Sequence, residues 1–170
     1  MPQIRLSTHV LGRPLPVEPN VGSGILIPRL QFRCWVRLPN TFMPRDGIID
    51  TGSPLTWFPE DVWSPFQHGR DFEWLPFAPG YTPPRGQTGG WAFSFRMARL
   101  LQPMSLFDTQ TELIREGTIV QFTDGNPLAP MNSKRPPLVV IGLWGGILEG
   151  TNLRMTTNAT TGQTLGSLEW

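Results

Sequence analysis

The chain has 170 residues, a formal net charge of +1, 18 glycines and 19 prolines. A net charge this close to zero argues against a role on nucleic acid or on a membrane surface that is driven by electrostatics, so we expect neither as a partner. The length favours a single domain, and the glycine and proline content favours strands and loops over long helices.

Cysteine and histidine add few chemical possibilities. Cys34 is the only cysteine, so no disulfide can form within the chain, and its apolar surroundings predict a core residue. His9 and His68 are not spaced like metal ligands, so we expect surface histidines, no metal and no cofactor. The sequence shows no signal-peptide pattern and no apolar run long enough for a bilayer, which predicts a cytoplasmic location.

The first part of the chain predicts a hairpin that leads into a turn. A short strand is expected at 4–6, within a region rich in proline and glycine. Apolar and polar residues alternate over 30–38, which is typical of a half-buried strand. A loop over 39–46 then leads to a return strand at 47–49. Pro59 followed by two acidic residues predicts a single helical turn ending at Trp63.

The second part predicts further strands separated by loops. Residues 74–90 are rich in proline and glycine and predict a long loop. Alternating residues over 91–98 predict another strand, and 119–122 a shorter one. A turn at 124–127 precedes a proline-rich connector that ends near residue 137. No internal repeat is present.

The motif most suggestive of catalysis is formed by Asp50, Thr51 and Gly52. Apolar strand residues deliver the carboxylate, and Gly52 permits close approach of another main chain. A turn with a solvated aspartate is the competing interpretation of the tripeptide alone. Paired with a second aspartate, however, Asp50 could share one proton and activate water. Because the chain has one such motif, the partner is expected from a second copy of the chain.

A second catalytic aspartate within the chain is disfavoured. Asp108 is followed by threonine and then by Gln110, where glycine would be needed for a close approach. Asp124 precedes glycine but lacks the threonine and the apolar lead-in. Both are more simply interpreted as turn or solvated residues.

Two segments resemble the retropepsin-like aspartic proteases, which are single-lobed chains with one active site per homodimer. GIIDTGSPLTWFPEDVW, from Gly47 to Trp63, resembles their active-site strand and turn. PLVVIGLWGGILE, from Pro137 to Glu149, resembles their apolar strand ending in Ile-Gly, followed by a short helix. In the family this strand passes beside the Asp-Thr-Gly turn.

The resemblance implies a fold and a division of the chain. It implies a mainly β protein with a retropepsin-like closed β-barrel lobe and one short helix after Gly142. Residues 1–155 would form the single protease domain. Residues 156–170 would form a polar tail of unclear role.

The resemblance also implies an activity, namely hydrolysis of peptide bonds in a peptide or protein substrate by a homodimeric aspartic endopeptidase. Asp50 is the expected catalytic residue. The turn would be supported by Thr51, Gly52 and Ser53, the neighbouring strand would supply Ile141, Gly142 and Trp144, and the flap candidates are Gly86, Gly89, Gly90 and Trp91. The alternative is a non-catalytic peptide-binding or dimerisation module on the same fold. An unrelated all-β protein with an accidental motif is a weaker alternative.

Overall fold

The computed structural model describes residues 1–16, 26–76, 85–88, 91–124, 138–161 and 163–170. These residues form thirteen strands and one short helix, which confirms a mainly β protein. The strands are β1 (Gln3–Pro16), β2 (Leu26–Arg37), β3 (Arg45–Ile49), β4 (Thr56–Phe58), β5 (Phe72–Trp74), β6 (Arg85–Thr88), β7 (Trp91–Leu100), β8 (Met104–Phe107), β9 (Glu112–Arg115), β10 (Ile119–Thr123), β11 (Val139–Ile141), β12 (Asn152–Thr157) and β13 (Thr164–Glu169). The helix, α1, is Glu60–Trp63. The described residues include no helix that is long and apolar enough to cross a membrane.

The strands pair into one open sheet. Their order is β12-β13-β1-β2-β3-β11-β4-β10-β7-β5, with β6 beside β7, and with β8 between β2 and β9. Among the described residues β12 and β5 do not pair with each other, so the expected closed barrel is not supported. The residues of β12 are mostly exposed and polar, and water can satisfy the outer main-chain groups of such an edge.

The expected helix after Gly142 does not form. Residues 143–150 make successive turns instead. Gly145 and Gly146 have φ angles of 93° and 99°, far from the right-handed helical region. A helix that begins directly after Gly142 therefore cannot run through these two residues.

An aromatic cluster forms part of the core. The ring of Phe122 in β10 stacks on Trp63 with 5.0 Å between centroids, and on Phe58 with 5.8 Å. Three further rings pack around it, those of Phe66, Phe72 and Trp74. Burial of each such side chain stabilises the fold by roughly 1.5–3 kcal/mol. The cluster therefore joins β4, β5, β10 and α1.

Residues 156–170, whose role the sequence leaves open, lie largely in the last two strands. β13 pairs with β12 on one side and with the start of β1 on the other. Gly166 in β13 packs against β2, since a Cβ built there would lie 2.5 Å from the ring of Phe32. Both ends of the chain thus belong to the sheet and contact the strand beside β3.

Asp71 is a buried carboxylate that joins two loops. Its side chain is 1% exposed and accepts hydrogen bonds of 2.9 and 3.0 Å from the guanidinium of Arg70. The Asn40 side chain and the Gln67 main-chain N–H also donate to it. The hydrogen bonds from Arg70, more than any other cause, hold the pKa of Asp71 below its usual range.

We expect Asp71 to make stability depend on pH. Since its pKa is lower in the folded than in the unfolded chain, its contribution is complete above the unfolded pKa of about 3.9 and is lost as pH falls through the folded value. Asp71→Asn should destabilise the protein by about 2 kcal/mol near neutral pH and weaken the acid dependence. Urea unfolding at several pH values measures both effects.

The control is Glu73→Gln, because Glu73 pairs with Arg99 at the surface and is 46% exposed. Exposed pairs contribute about 0–1 kcal/mol. Equal decreases in the free energy of unfolding for the two variants at neutral pH would contradict the role assigned to Asp71.

Candidate active site

Asp50 lies in a tight turn directly after β3. The Gly52 N–H donates to Oδ1 of Asp50 at 2.9 Å, and the Ser53 N–H donates to the Asp50 carbonyl at 3.1 Å. The carboxylate is thus bound by the main chain two residues further on, as in an Asx turn. A Cβ at Gly52 would lie 3.3 Å from that carboxylate oxygen, so glycine suits the close approach.

β11 lies between the two strands that flank this turn. It runs parallel to β3 and antiparallel to β4, with Val140 opposite both Ile48 and Trp57. At the end of β11 the Ile141 carbonyl accepts a hydrogen bond of 2.9 Å from the Asp50 N–H. The structure therefore brings Ile141 and Gly142 beside Asp50, although the two segments are far apart in sequence.

Main-chain hydrogen bonds continue this contact beyond β11. The Leu143 N–H donates to the Ser53 carbonyl at 3.1 Å, and the Trp144 N–H donates to the Pro54 carbonyl at 2.8 Å. These main-chain bonds fix the segment 53–54 against the residues that follow β11.

Gly142 occupies the tightest point of the arrangement. A Cβ at this position would lie 2.4 Å from both the carbonyl carbon and the carbonyl oxygen of Leu55. The Gly142 N–H donates to Oγ1 of Thr56 at 3.2 Å, and Thr56 is completely buried. Thr56 was not among the predicted site residues, because one threonine in a short apolar strand produces no recognisable pattern.

The turn presents its carboxylate to solvent. Asp50, Thr51 and Gly52 are exposed, whereas Ser53 is buried and donates through its hydroxyl to the Leu55 carbonyl at 2.8 Å. Within the described part of the chain, the Gly52 N–H is the one hydrogen-bond donor to the Asp50 carboxylate, and the Thr51 hydroxyl has no hydrogen-bond partner. The second oxygen of Asp50 is therefore available to another molecule.

Two large apolar side chains are also exposed beside the turn. Leu143 is 48% exposed and Trp144 is 71% exposed. Their main chains are fixed by the hydrogen bonds to Ser53 and Pro54. We call the surface made by Asp50, Thr51, Gly52, Leu143 and Trp144 the Asp50 face.

The flap candidates are only partly described. Gly86 lies in β6 and Trp91 begins β7, and these two strands pair antiparallel, with Gly86 opposite Phe93. Gly89 and Gly90 lie outside the described residues. The strands before and after these two glycines, β6 and β7, pair as in a hairpin. The role of the flap candidates in closing over a substrate stays a prediction.

Asp108 is occupied by main-chain donors. The Arg5 N–H donates to one of its oxygens at 2.7 Å, and the Gln110 and Thr111 N–H groups donate to the other at 2.7 and 2.8 Å. Burial raises the pKa of Asp108, but these backbone hydrogen bonds outweigh it and keep the pKa below its usual range. Asp108 follows β8, which is separated from β3 by β2.

Asp124 and the Asp50 turn lie at opposite ends of the strands, as measured along the strand direction. It follows β10, which runs parallel to β4 with Phe122 opposite Phe58. Because β4 leads away from the turn, residues beyond Phe122 lie past its far end. The register therefore separates Asp124 from Asp50.

Among the residues that the structure describes, other reactive groups do not form a competing centre. Burial, with a smaller effect of the Asp46 charge, raises the pKa of the Cys34 thiol to about 12, so the nucleophilic thiolate is scarce. Across the described ranges, no group of three or more His, Cys, Asp or Glu side chains could hold a metal ion.

Two cavities lined by described residues lie away from the Asp50 face. One of about 710 Å³ is lined in part by Arg37, Phe42, Arg70 and Ile114. Another of about 160 Å³ lies beside Trp35. Asp50 lines neither of them. The candidate catalytic carboxylate thus stands on an exposed face and not inside either cavity.

Comparison with known proteins found no matching family model, no matching curated protein and no matching solved structure. The resemblance to retropepsin-like proteases is therefore a hypothesis based on residues 47–63 and 137–149. What the structure adds is the spatial relation of these segments, because β11 pairs with β3 and its end contacts Asp50.

We expect Gly142→Ala to destabilise the protein by about 3 kcal/mol, because the added methyl group would overlap the Leu55 backbone. Gly117→Ala is the control, since Gly117 has φ of 64° and open space around it. That variant carries only the left-handed backbone cost of about 1 kcal/mol. Thermal unfolding followed by circular dichroism compares the two, and equal shifts would contradict the close packing at Gly142.

Proposed function

We propose that this protein is an aspartic endopeptidase that works as a homodimer, with Asp50 of each protomer in one shared active site. The observation that carries the proposal is the Asp50 turn, in which the main chain holds an exposed carboxylate with one oxygen available. The position of β11 between β3 and β4 adds support, since the resemblance to a retropepsin-like lobe implies a strand beside this turn.

The proposed chemistry needs two carboxylates and no metal. Two adjacent like charges resist simultaneous ionisation, so a pair of Asp50 side chains would share one proton, as aspartic proteases do. The ionised carboxylate would accept a proton from water as the water attacks the scissile carbonyl. The protonated carboxylate would donate a hydrogen bond to the carbonyl oxygen.

A second copy of the chain is the proposed source of the second carboxylate. Asp108 is bound by three main-chain N–H groups, and Asp124 lies beyond the far end of β4. Neither is positioned to share a proton with Asp50 of the same chain. A two-fold axis beside the Asp50 face would bring two identical carboxylates together.

The composition of the Asp50 face suits such a contact. Leu143 and Trp144 would be removed from water, and the Thr51 hydroxyl would be free to donate to the partner. Aromatic residues are enriched in protein interfaces, where one buried tryptophan can contribute much of the affinity.

The edge of β12 offers a further contact between copies. The Asn158 N–H bonds to the Gln163 carbonyl at 2.8 Å. Because bonded and non-bonded positions alternate along an antiparallel pair, the main-chain groups of Leu153, Met155 and Thr157 point away from β13. Among the described residues this edge has no strand partner, so it can pair with its equivalent in a second copy.

The β12–β13 hairpin is connected to the candidate site through β2. Gly166 lies opposite Met155 and packs on the ring of Phe32. Phe32 lies opposite Ile49, the residue before Asp50. Pairing at β12 and contact at the Asp50 face are therefore proposed as parts of one interface.

The substrate proposed is a peptide or protein segment in extended form. The paired strands β6 and β7, on either side of Gly89 and Gly90, would provide the flap that closes over it. A lid of this kind excludes water and positions the scissile bond.

We expect Asp50→Asn to lose peptide cleavage by at least about a hundredfold, because an amide cannot take the proton from water. The substitution is nearly isosteric and lies at an exposed position, so fold and dimer should persist. A peptide library incubated across acidic to neutral pH, with light scattering for the oligomeric state, measures both. Asp46→Asn is the matched control and should retain cleavage, because the Asp46 side chain is 43% exposed and its ion pair with Arg33 is long at 3.5 Å.

Wild-type activity in the purified Asp50→Asn variant would exclude Asp50 as a catalytic residue. A wild-type protein that binds library peptides as a dimer but never cleaves them would instead be a peptide-binding module on the same fold.

A further inference from the structure

One peptide unit, between Ile141 and Gly142, bonds to both sides of the Asp50 loop. Its carbonyl accepts the Asp50 N–H at 2.9 Å. Its N–H donates to Oγ1 of Thr56 at 3.2 Å. Because a trans peptide unit is planar and rigid, its carbonyl and N–H point in opposite directions. The unit therefore spans the space between the end of β3 and the start of β4.

This geometry connects Thr56 to Asp50 through a single rigid group. The carbonyl that holds the Asp50 main chain cannot rotate without also moving the N–H that bonds to Thr56. Hydrogen bonds on the two sides of one peptide also polarise each other. The Thr56 hydroxyl thus restricts the orientation of the group on which Asp50 rests.

We propose that Thr56 is a positioning residue for Asp50, acting through the Ile141–Gly142 peptide. Thr56 does not touch the reacting atoms, and it is completely buried at the start of β4. The catalytic part of this inference rests on the proposed function, whereas the effect on the Asp50 main chain does not.

The chemistry of the side chain explains why threonine is needed here. Valine would fill the same space, but it would leave the Gly142 N–H buried without an acceptor. Serine would keep the acceptor and lose only a methyl group. The hydroxyl, not the shape of the side chain, is the feature that matters.

The experiment compares Thr56→Val with Thr56→Ser. Amide hydrogen exchange at Asp50, read by NMR, should be faster in Thr56→Val by roughly tenfold or more and should return toward the wild-type rate in Thr56→Ser. In peptide cleavage, Thr56→Val should lower kcat by roughly tenfold to a hundredfold with little change in KM, since misplacement of a reacting group acts on the chemical step. Thr56→Ser should recover most of kcat.

Thr123→Val is the matched control. Thr123 is also buried, and its hydroxyl donates to the Phe58 carbonyl in β4 at 3.3 Å, away from the Asp50 turn. Loss of the Thr123 hydroxyl should lower the global free energy of unfolding without a selective change in amide hydrogen exchange at Asp50.

Two outcomes would overturn the inference. One is unchanged Asp50 exchange in a folded Thr56→Val protein, and the other is a change that Thr123→Val reproduces. If the wild type cleaves no peptide, the proposed function fails, but the exchange measurement still decides whether Thr56 positions Asp50.

Discussion

The insertion of β11 between β3 and β4 is the constraint on which the candidate site depends. Residues 50–55 connect these two strands, so they must pass around the end of the inserted strand. Gly142 lets the end of β11 approach the Leu55 main chain more closely than any residue with a Cβ atom would permit. Main-chain hydrogen bonds from Asp50, Leu143 and Trp144 then hold the loop in place. The topology and these hydrogen bonds together hold the main chain that carries the Asp50 carboxylate.

This placement has two unfavourable features in a single protomer, and a second chain would remove both. A single protomer exposes Asp50 together with the apolar side chains of Leu143 and Trp144. A carboxylate surrounded by water on an open face is a weak acid-base catalyst, because the solvent screens its charge and competes for its hydrogen bonds. Enclosure by a second copy would exclude water and supply the second carboxylate in one step.

Sequence patterns predicted the elements whose signals are local. Alternating residues predicted strands over 30–38 and 91–98, and the structure has β2 and β7 there. Acidic residues after Pro59 predicted α1, although Pro59 itself is the cap residue with φ of −61° and not the first helical residue. The apolar run before Asp50 predicted β3, whereas the strand ending at Ile141, β11, was expected from the family resemblance.

The remaining elements depend on contacts between distant parts of the chain, which local sequence patterns do not reveal. β1 reaches Pro16 through a region rich in proline and glycine, because pairing with β2 compensates for poor strand formers. β12 is mostly exposed and polar, so it shows no apolar alternation. Closure of the barrel and the helix after Gly142 were inferred from family resemblance, and positive φ angles at Gly145 and Gly146 prevent that helix.

A subunit-mixing titration tests the shared active site most directly. Wild-type protein at fixed concentration is mixed with increasing Asp50→Asn protein under conditions of subunit exchange, and peptide cleavage is measured at each ratio. If each site needs Asp50 from both protomers, random pairing lowers the activity to about half at an equal ratio and toward zero in large excess. Activity that stays constant at every ratio, with exchange confirmed by mass-labelled subunits, would contradict a site shared between two chains.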